Sequence, residues 1–152
     1  MPRISIDLVQ QALVDLIANS ASIVALGFQP RHIFYEGDEL EIGNLAHMPL
    51  INVRLIMSEE DVTSIPNGTY EKITFSVDLF VFDFTSFRAA AKLRDAALSA
   101  LKVLLSENRQ FQASLQTSSI ALQTGFGQGT VDGQRGHVAV ATVQIVCEAY
   151  ND

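Results

Sequence analysis

Residues 73–105 read ITFSVDLFVFDFTSFRAAAKLRDAALSALKVLL, and within them the hydrophobic period changes from two residues to about 3.6. Ile73, Phe75, Val77, Leu79 and Val81 form one face of a strand spanning about residues 70–82. Thr74, Ser76 and Asp78 form the other, which turns apolar at Phe80 and Phe82. That end of the strand is therefore expected to be covered on both sides, with another subunit as one candidate cover. A helix over residues 87–105 follows, capped by Thr85 or Ser86. Phe87, Ala90, Leu93, Ala97, Leu98, Leu101, Leu104 and Leu105 make a wide apolar arc on it, with Arg88, Lys92, Asp95, Ser99 and Lys102 opposite. Arg94 falls inside the arc. A buried guanidinium must snorkel to the edge or find a carboxylate; Asp78, Asp83 or an acid of a neighbouring subunit are the candidates.

Upstream, residues 6–19 predict a helix capped by Ser5, with Ile6, Val9, Leu13, Leu16 and Ile17 on the inner face and Asp7, Gln10, Gln11 and Asp15 on the outer. A short turn over residues 21–25 ends at Gly27. His32 to Tyr35 is a short strand leading into EGDELEIGN, which reads as a loop. Pro49 opens a strand over residues 50–57 whose odd positions, Ile51, Val53, Leu55 and Met57, are expected to face the core. A polar loop then closes on Pro66-Asn67-Gly68, a sequence suited to a tight reversal. Downstream, two more strands are expected, residues 119–124 and residues 137–150. Ala139, Ala141, Val143, Ile145 and Cys147 line one face of the longer. Between them lies GFGQGTVDGQRG, residues 125–136, with five of the nine glycines. It reads as a mobile loop waiting for a partner, with Phe126 and Arg135 as anchors. Helix, strands, helix, strands with hairpin-like connections predict an α+β fold: an antiparallel sheet with two main amphipathic helices packed on one face.

The chain has 152 residues, 48% apolar and 18% charged, which predicts a single domain over residues 1–152. No apolar run reaches the ~20 residues of a membrane-spanning helix. The N-terminus holds acids and amides too early for a signal peptide, so assembly in a cytoplasm is expected. One cysteine excludes an internal disulfide framework and a multi-cysteine metal site. Ten basic residues against 17 acidic give a net charge of −7, unsuited to wrapping nucleic acid. The charge is polarised. Glu36, Asp38, Glu39, Glu41, Glu59, Glu60 and Asp61 face only Arg54 between residues 36 and 61, whereas Arg88, Lys92, Arg94 and Lys102 make the second helix basic. Opposite charges of this kind suit a part that meets copies of itself.

Catalytic motifs are weak. Gly125-Phe126-Gly127-Gln128-Gly129 precedes a strand rather than a helix N-terminus and lacks a lysine, so it does not read as a phosphate cradle. His32, His47 and His137 have no metal-ligand spacing and read as surface or edge histidines. The acids of residues 36–41 lack the calcium-loop pattern. There is no Gly-x-Ser-x-Gly elbow, and Cys147 on an apolar strand face reads as a small core residue. No enzyme, cofactor or metal is expected.

The order of elements resembles the tail terminator (tail completion) proteins of long-tailed bacteriophages. The features that carry it are the helix DLVQQALVDLIANS, the turn SIVALG, RHIFY, the strand PLINVRLIM, the strand ITFSVDLFVFD, the basic helix SFRAAAKLRDAALSALKVLL, the glycine-rich stretch and the strand HVAVATVQIVCEAY. The resemblance implies a virion protein that forms a ring, usually of six copies, on the tail tube. It would stop tube growth and present the head-joining surface. Its partners would be itself, the tail tube protein, the head–tail connector protein and, in a contractile tail, the sheath; DNA would pass through the channel without specific binding. Phe80, Phe82, the basic helix residues, the acids named above, Phe126 and Arg135 are the candidate interface. A head–tail connector (neck) protein is the alternative, and a small ligand-binding or hydrolase domain a further one.

Overall fold

The computed structural model describes residues 5–61, 69–111, 115–131 and 134–151. The fold is α+β. In chain order the elements are α1 (Ile6–Ala18), α2 (Ala21–Ala25), β1 (Ile33–Tyr35), α3 (Glu39–Ile42), β2 (Leu50–Asp61), β3 (Thr69–Asp83), α4 (Phe87–Glu107), β4 (Leu115–Val131) and β5 (Gln134–Asn151). The five strands form one sheet in the order β1-β2-β3-β5-β4. All neighbours are antiparallel except β1 and β2, which run parallel. The parallel pair departs from the purely antiparallel expectation. It exists because residues 36–49 carry the chain back to the same end of the sheet before β2 begins.

The period-two segment becomes β3 and holds the centre. Ile73, Phe75, Val77, Leu79 and Val81 are buried on the same face as Ala139, Ala141, Val143, Ile145 and Cys147 of β5. Above this face α1 packs on β1 and β2, α4 packs on β3 and β5, and α2 touches both helices. Leu13, Ile17, Ile23, Leu101 and Leu105 are the largest fully buried aliphatic side chains of this helical layer. Each long helix begins at a hydroxyl cap: Ser5 Oγ accepts from Leu8 N–H and Ser86 Oγ from Ala89 N–H. Asp83 holds the entry to α4, its Oδ1 accepting from the N–H groups of Thr85 (2.9 Å) and Ser86 (2.8 Å). Those two bonds keep its carboxyl below the usual carboxylate range. Gly27, at φ +102, ends α2 in the left-handed region that favours glycine.

Several expectations are corrected. EGDELEIGN is not all loop: Asp38 accepts from Glu41 N–H and Glu41 Oε1 accepts from Asp38 N–H, a reciprocal capping box that starts the one-turn α3. Gln10 is buried rather than outward, its amide donating to Val53 O (3.0 Å) and tying α1 to β2. Met57 does not face the core. The β2–β3 register shifts between Leu55 and Met57, so Ile56 is an extra residue, and the core-facing parity of β2 reverses beyond it. The reversal expected at Asn67-Gly68 lies outside the described residues.

The largest correction concerns residues 125–136. Residues 125–131 and 134–136 are strand rather than loop. β4 and β5 form one long hairpin, paired from Leu115↔Ala149 to Val131↔Gln134, with Gly125, Gly127 and Gly129 opposite Val140, Val138 and Gly136. Glycine weakens strand propensity locally, yet β5 is already held by β3 from Asn151 to His137, and β4 adds to that template. At least one glycine has a packing reason. A Cβ on Gly136 would run into the ring of Phe82 and lie 2.9 Å from the carbonyl oxygen of Asp83. Gly136→Ala is expected to destabilise the protein by about 1–3 kcal/mol, because backbone and ring must shift together. Gly27→Ala is expected to cost a comparable amount through its positive φ alone. In urea melts, a smaller loss for Gly136→Ala with a Phe82→Leu partner would confirm that the ring is what the glycine accommodates.

Candidate assembly interface

On the face of the sheet away from α1 and α4, residues 36–49 cover one flank, and Thr74, Ser76 and Asp78 of β3 are buried at the centre. Phe34 and Asn52 lie on this face by strand alternation, and residues 36–49 fold over them. Gly37 N–H donates to Asn52 Oδ1 (2.7 Å), and the rings of Phe34 and His47 are 5.5 Å apart. Across β3, β5 and β4 no helix lies on this face among the described residues. Phe80 is opposite Leu50 and Val140, and Phe82 is opposite Val138. Both phenylalanines are half-buried; Phe82 meets Phe84 edge-on at 5.0 Å and Phe84 is exposed. The single chain thus covers part of the aromatic strip by itself, with Gly136 closing one side of Phe82.

Next to the strip lies a polar network centred on Asp78. Its Oδ2 takes the guanidinium of Arg54 (2.5 Å), and its Oδ1 accepts from Ser76 Oγ (2.7 Å) and Thr142 Oγ1 (3.1 Å). The carboxylate makes the Arg54 guanidinium still harder to deprotonate than usual. Asp78 is therefore not the partner of Arg94. Nor is Asp83, whose Oδ1 accepts from the backbone of the turn before α4. Arg94, with its side chain 11% exposed, takes its neighbour Asp95 at 3.0 Å. Alternation alone placed Ser76 and Asp78 on one face and Asn52 and Arg54 on the corresponding face of the adjacent strand. That pattern could have identified the network. A shallow recess of about 230 Å³ beside it is lined by Ile56, Ser76, Ala121, Thr142 and Gln144.

The acids are placed unevenly. Glu36 sits at φ +48 and its Oε1 accepts from Leu55 N–H (2.7 Å) and Gln10 Nε2–H (3.1 Å). Asp38 and Glu41 are committed to the capping box of α3. Glu39 and Glu59 are exposed, Glu59 opposite Lys72, while Glu60 and Asp61 end β2 opposite Glu71 and Tyr70. Arg88, Lys92 and Lys102 are exposed on α4. Phe126 stands in β4 opposite Ala139, and Arg135 is exposed in β5 opposite Thr130. The acids gather at the β1–β2 flank and the bases on the helical layer, so the expected interface residues do not form one patch.

Two of the histidines are not simple surface residues. His32 is 8% exposed and its ring centroid is 4.8 Å from that of His47. His47 Nδ1 is 2.8 Å from Glu41 O, where it donates. Burial first, then His47 and Arg31, hold His32 below its ordinary value of 6.5. The third, His137, has its Nδ1 buried without a hydrogen-bond partner and meets Phe87 edge-on at 6.2 Å. Among the described residues no group of three or more His, Cys, Asp and Glu side chains could hold a metal, and no helix is long and apolar enough to cross a membrane. Burial pushes the Cys147 thiol up to about 11. No protein-family model matches the chain, and no curated protein matches it.

Two predictions follow from these environments. Because the folded protein resists protonating His32, the unfolded chain binds more protons below pH 6.5. Stability is full above that value and falls as pH drops through it, levelling off below the depressed folded value. His32→Gln should flatten the stability–pH curve in that window, as read by urea melts. Asp78→Ala should cost about 1–3 kcal/mol, since it strands Ser76, Thr142 and half-exposed Arg54. An Arg54→Ala/Asp78→Ala double variant less destabilised than the sum of the singles would report the coupling.

Proposed function

We propose that the chain is a structural virion protein of a long-tailed bacteriophage: a tail terminator that forms a ring on the tail tube, ends its polymerisation and presents the surface to which the head joins. The reading rests on the resemblance in element order. The observation that carries it is a sheet whose first face is closed by helices and whose second, among the described residues, has none across β3, β5 and β4, with Thr74, Ser76 and Asp78 buried at its centre and an aromatic strip part-exposed at its end. α1, α2 and α4 close the first face, while Phe80, Phe82 and Phe84 on the second are only part-covered by their own chain. A chain that works by assembling keeps such a surface for its neighbours. No catalytic step or cofactor belongs to this reading.

The charges fit the same proposal. Bases on α4 and acids at the β1–β2 flank favour a head-to-tail contact between copies, which closes into a ring when the rotation allows. Exposed acids such as Glu39 and Glu59, if turned to a central channel, would repel DNA phosphates and let the genome pass without sticking. Partners are further copies of the chain, the tube protein, the head–tail connector protein and, in a contractile tail, the sheath.

The test is light scattering and negative-stain imaging of the purified protein, followed by addition to tail tubes and heads. Six copies of the 16.6 kDa chain give a ring of about 100 kDa, which should cap tubes, arrest their growth and permit head attachment. The ring should loosen as salt rises above physiological strength. Rings that bind the head connector but leave tubes growing would favour a neck protein. A monomer that caps no tube at any salt would overturn the reading in favour of a ligand-binding domain.

A further inference from the structure

The two flanks of the sheet are built differently. On the first flank the chain closes its own edge. β1 pairs with Ile51, Asn52 and Val53, Glu36 N–H then donates to Val53 O, and the Glu36 carboxylate takes Leu55 N–H. Beyond that point residues 56–61, IMSEED, have β3 on one side and, among the described residues, no strand on the other. Ile56 and Met57 are 45% and 47% exposed there. The second flank is β4, 17 residues long, with β5 on one side and, among the described residues, no strand on the other; at its bulge Thr117 N–H donates to Arg109 O (2.9 Å). Its sequence, LQTSSIALQTGFGQGTV, contains neither a charged residue nor a proline. Natural edge strands are normally short, charged, proline-bearing or covered, because an unprotected edge pairs with other chains. β4 is long and carries neither a charge nor a proline; the bulge between Thr117 and Ser119 is its one irregularity.

We propose that the free edge of β4 pairs antiparallel with the free tip of β2 in a second copy of the chain, so that one sheet continues from subunit to subunit. The direction follows from the topology. β2, β3, β5 and β4 alternate up, down, up, down. Copies related by rotation about an axis along the strands therefore set a descending β4 beside an ascending β2, the antiparallel arrangement. The charges choose this pairing over its rival at the first flank. A β2 tip pairing antiparallel with itself would crowd Glu59, Glu60 and Asp61 of both copies into one short ladder, which like-charge repulsion disfavours, whereas β4 offers them a neutral neighbour. Pairing also brings exposed Ile56 and Met57 against the partner. Because the contact joins unlike edges it is heterologous and propagates until it closes. The inference rests on the ring reading above for that closure and adds the surface that makes it.

The test uses the full chain with Cys147→Ala and one pair of new cysteines. Glu59→Cys is combined in turn with Gln116→Cys, Ala121→Cys and Gln123→Cys, three positions spread along the same face of β4. After mild oxidation at least one pair should give a covalent ladder that stops at the ring size, while each single-cysteine chain stays uncrosslinked. Of the adjacent variants Gln123→Pro and Thr124→Pro, one deletes an N–H aimed away from β5, since these alternate along a strand. That variant should stay folded by circular dichroism and lose assembly at least tenfold. A β4 single-cysteine chain that gives covalent dimers would overturn the proposal in favour of two-fold β4 pairing. Rings that form normally, with no ladder from any pair and no effect of either proline, would overturn it and leave the ring reading standing. A chain that stays monomeric at high concentration and caps no tube would overturn both.

Discussion

Everything in this molecule is arranged around β3 being paired along both of its edges. From Tyr70 to Phe80 it is held by β2, and from Thr69 to Asp83 by β5. A strand in that position has no freedom of register, because a shift of one residue would carry Ile73, Phe75, Val77, Leu79 and Val81 out of the core and Thr74, Ser76 and Asp78 into it. Burying five large apolar side chains is worth several kcal/mol, so the slipped alternative is closed to the chain. The helices then have one place to go. α4 leaves the end of β3 through the Asp83 turn and folds back over β3 and β5. α1 takes the remaining width above β1 and β2.

How far the sequence could be read follows from how local each signal was. The alternation of β3, the helical arc of α4, the Ser5 cap and Gly27 are written in neighbouring residues, and the structure has them where that pattern places them. The α3 capping box was equally local, Asp38 three residues before Glu41, and was hidden by the loop-like glycines and acids around it. β4 is the opposite case. Nothing in residues 125–131 favours a strand on its own, and the pairing that makes it one depends on β5, which depends in turn on β3. The bulge at Ile56 was unreadable for a similar reason: an extra residue in an alternating run is visible only against the partner strand.

The candidate interface shows the same divide. Charge counts located the acidic and basic regions, but not that Glu36, Asp38 and Glu41 are occupied in closing β1–β2 and starting α3. An acid that accepts backbone hydrogen bonds is a structural part first, and its charge is partly spent within the subunit. The arc marks Arg94 as a charge in awkward company, and the carboxylate it takes, Asp95, is its neighbour in sequence; that Arg54 takes Asp78 depends on the β2–β3 register, which alternation alone does not set.

The two bulges have a consequence of their own. The extra residue in β2 falls where β3 passes from Phe75 to Thr74, and that in β4 falls where β5 passes from Cys147 to Val146. Since Thr74 is opposite Val146, both irregularities lie at one level, on the two sides of an uninterrupted β3–β5 centre. Each outer strand is thus read in two frames, like a message with a letter inserted midway, while the inner pair keeps a single frame throughout. Deleting one residue above the crease would turn the outer half of that strand inside out and leave the other four strands untouched.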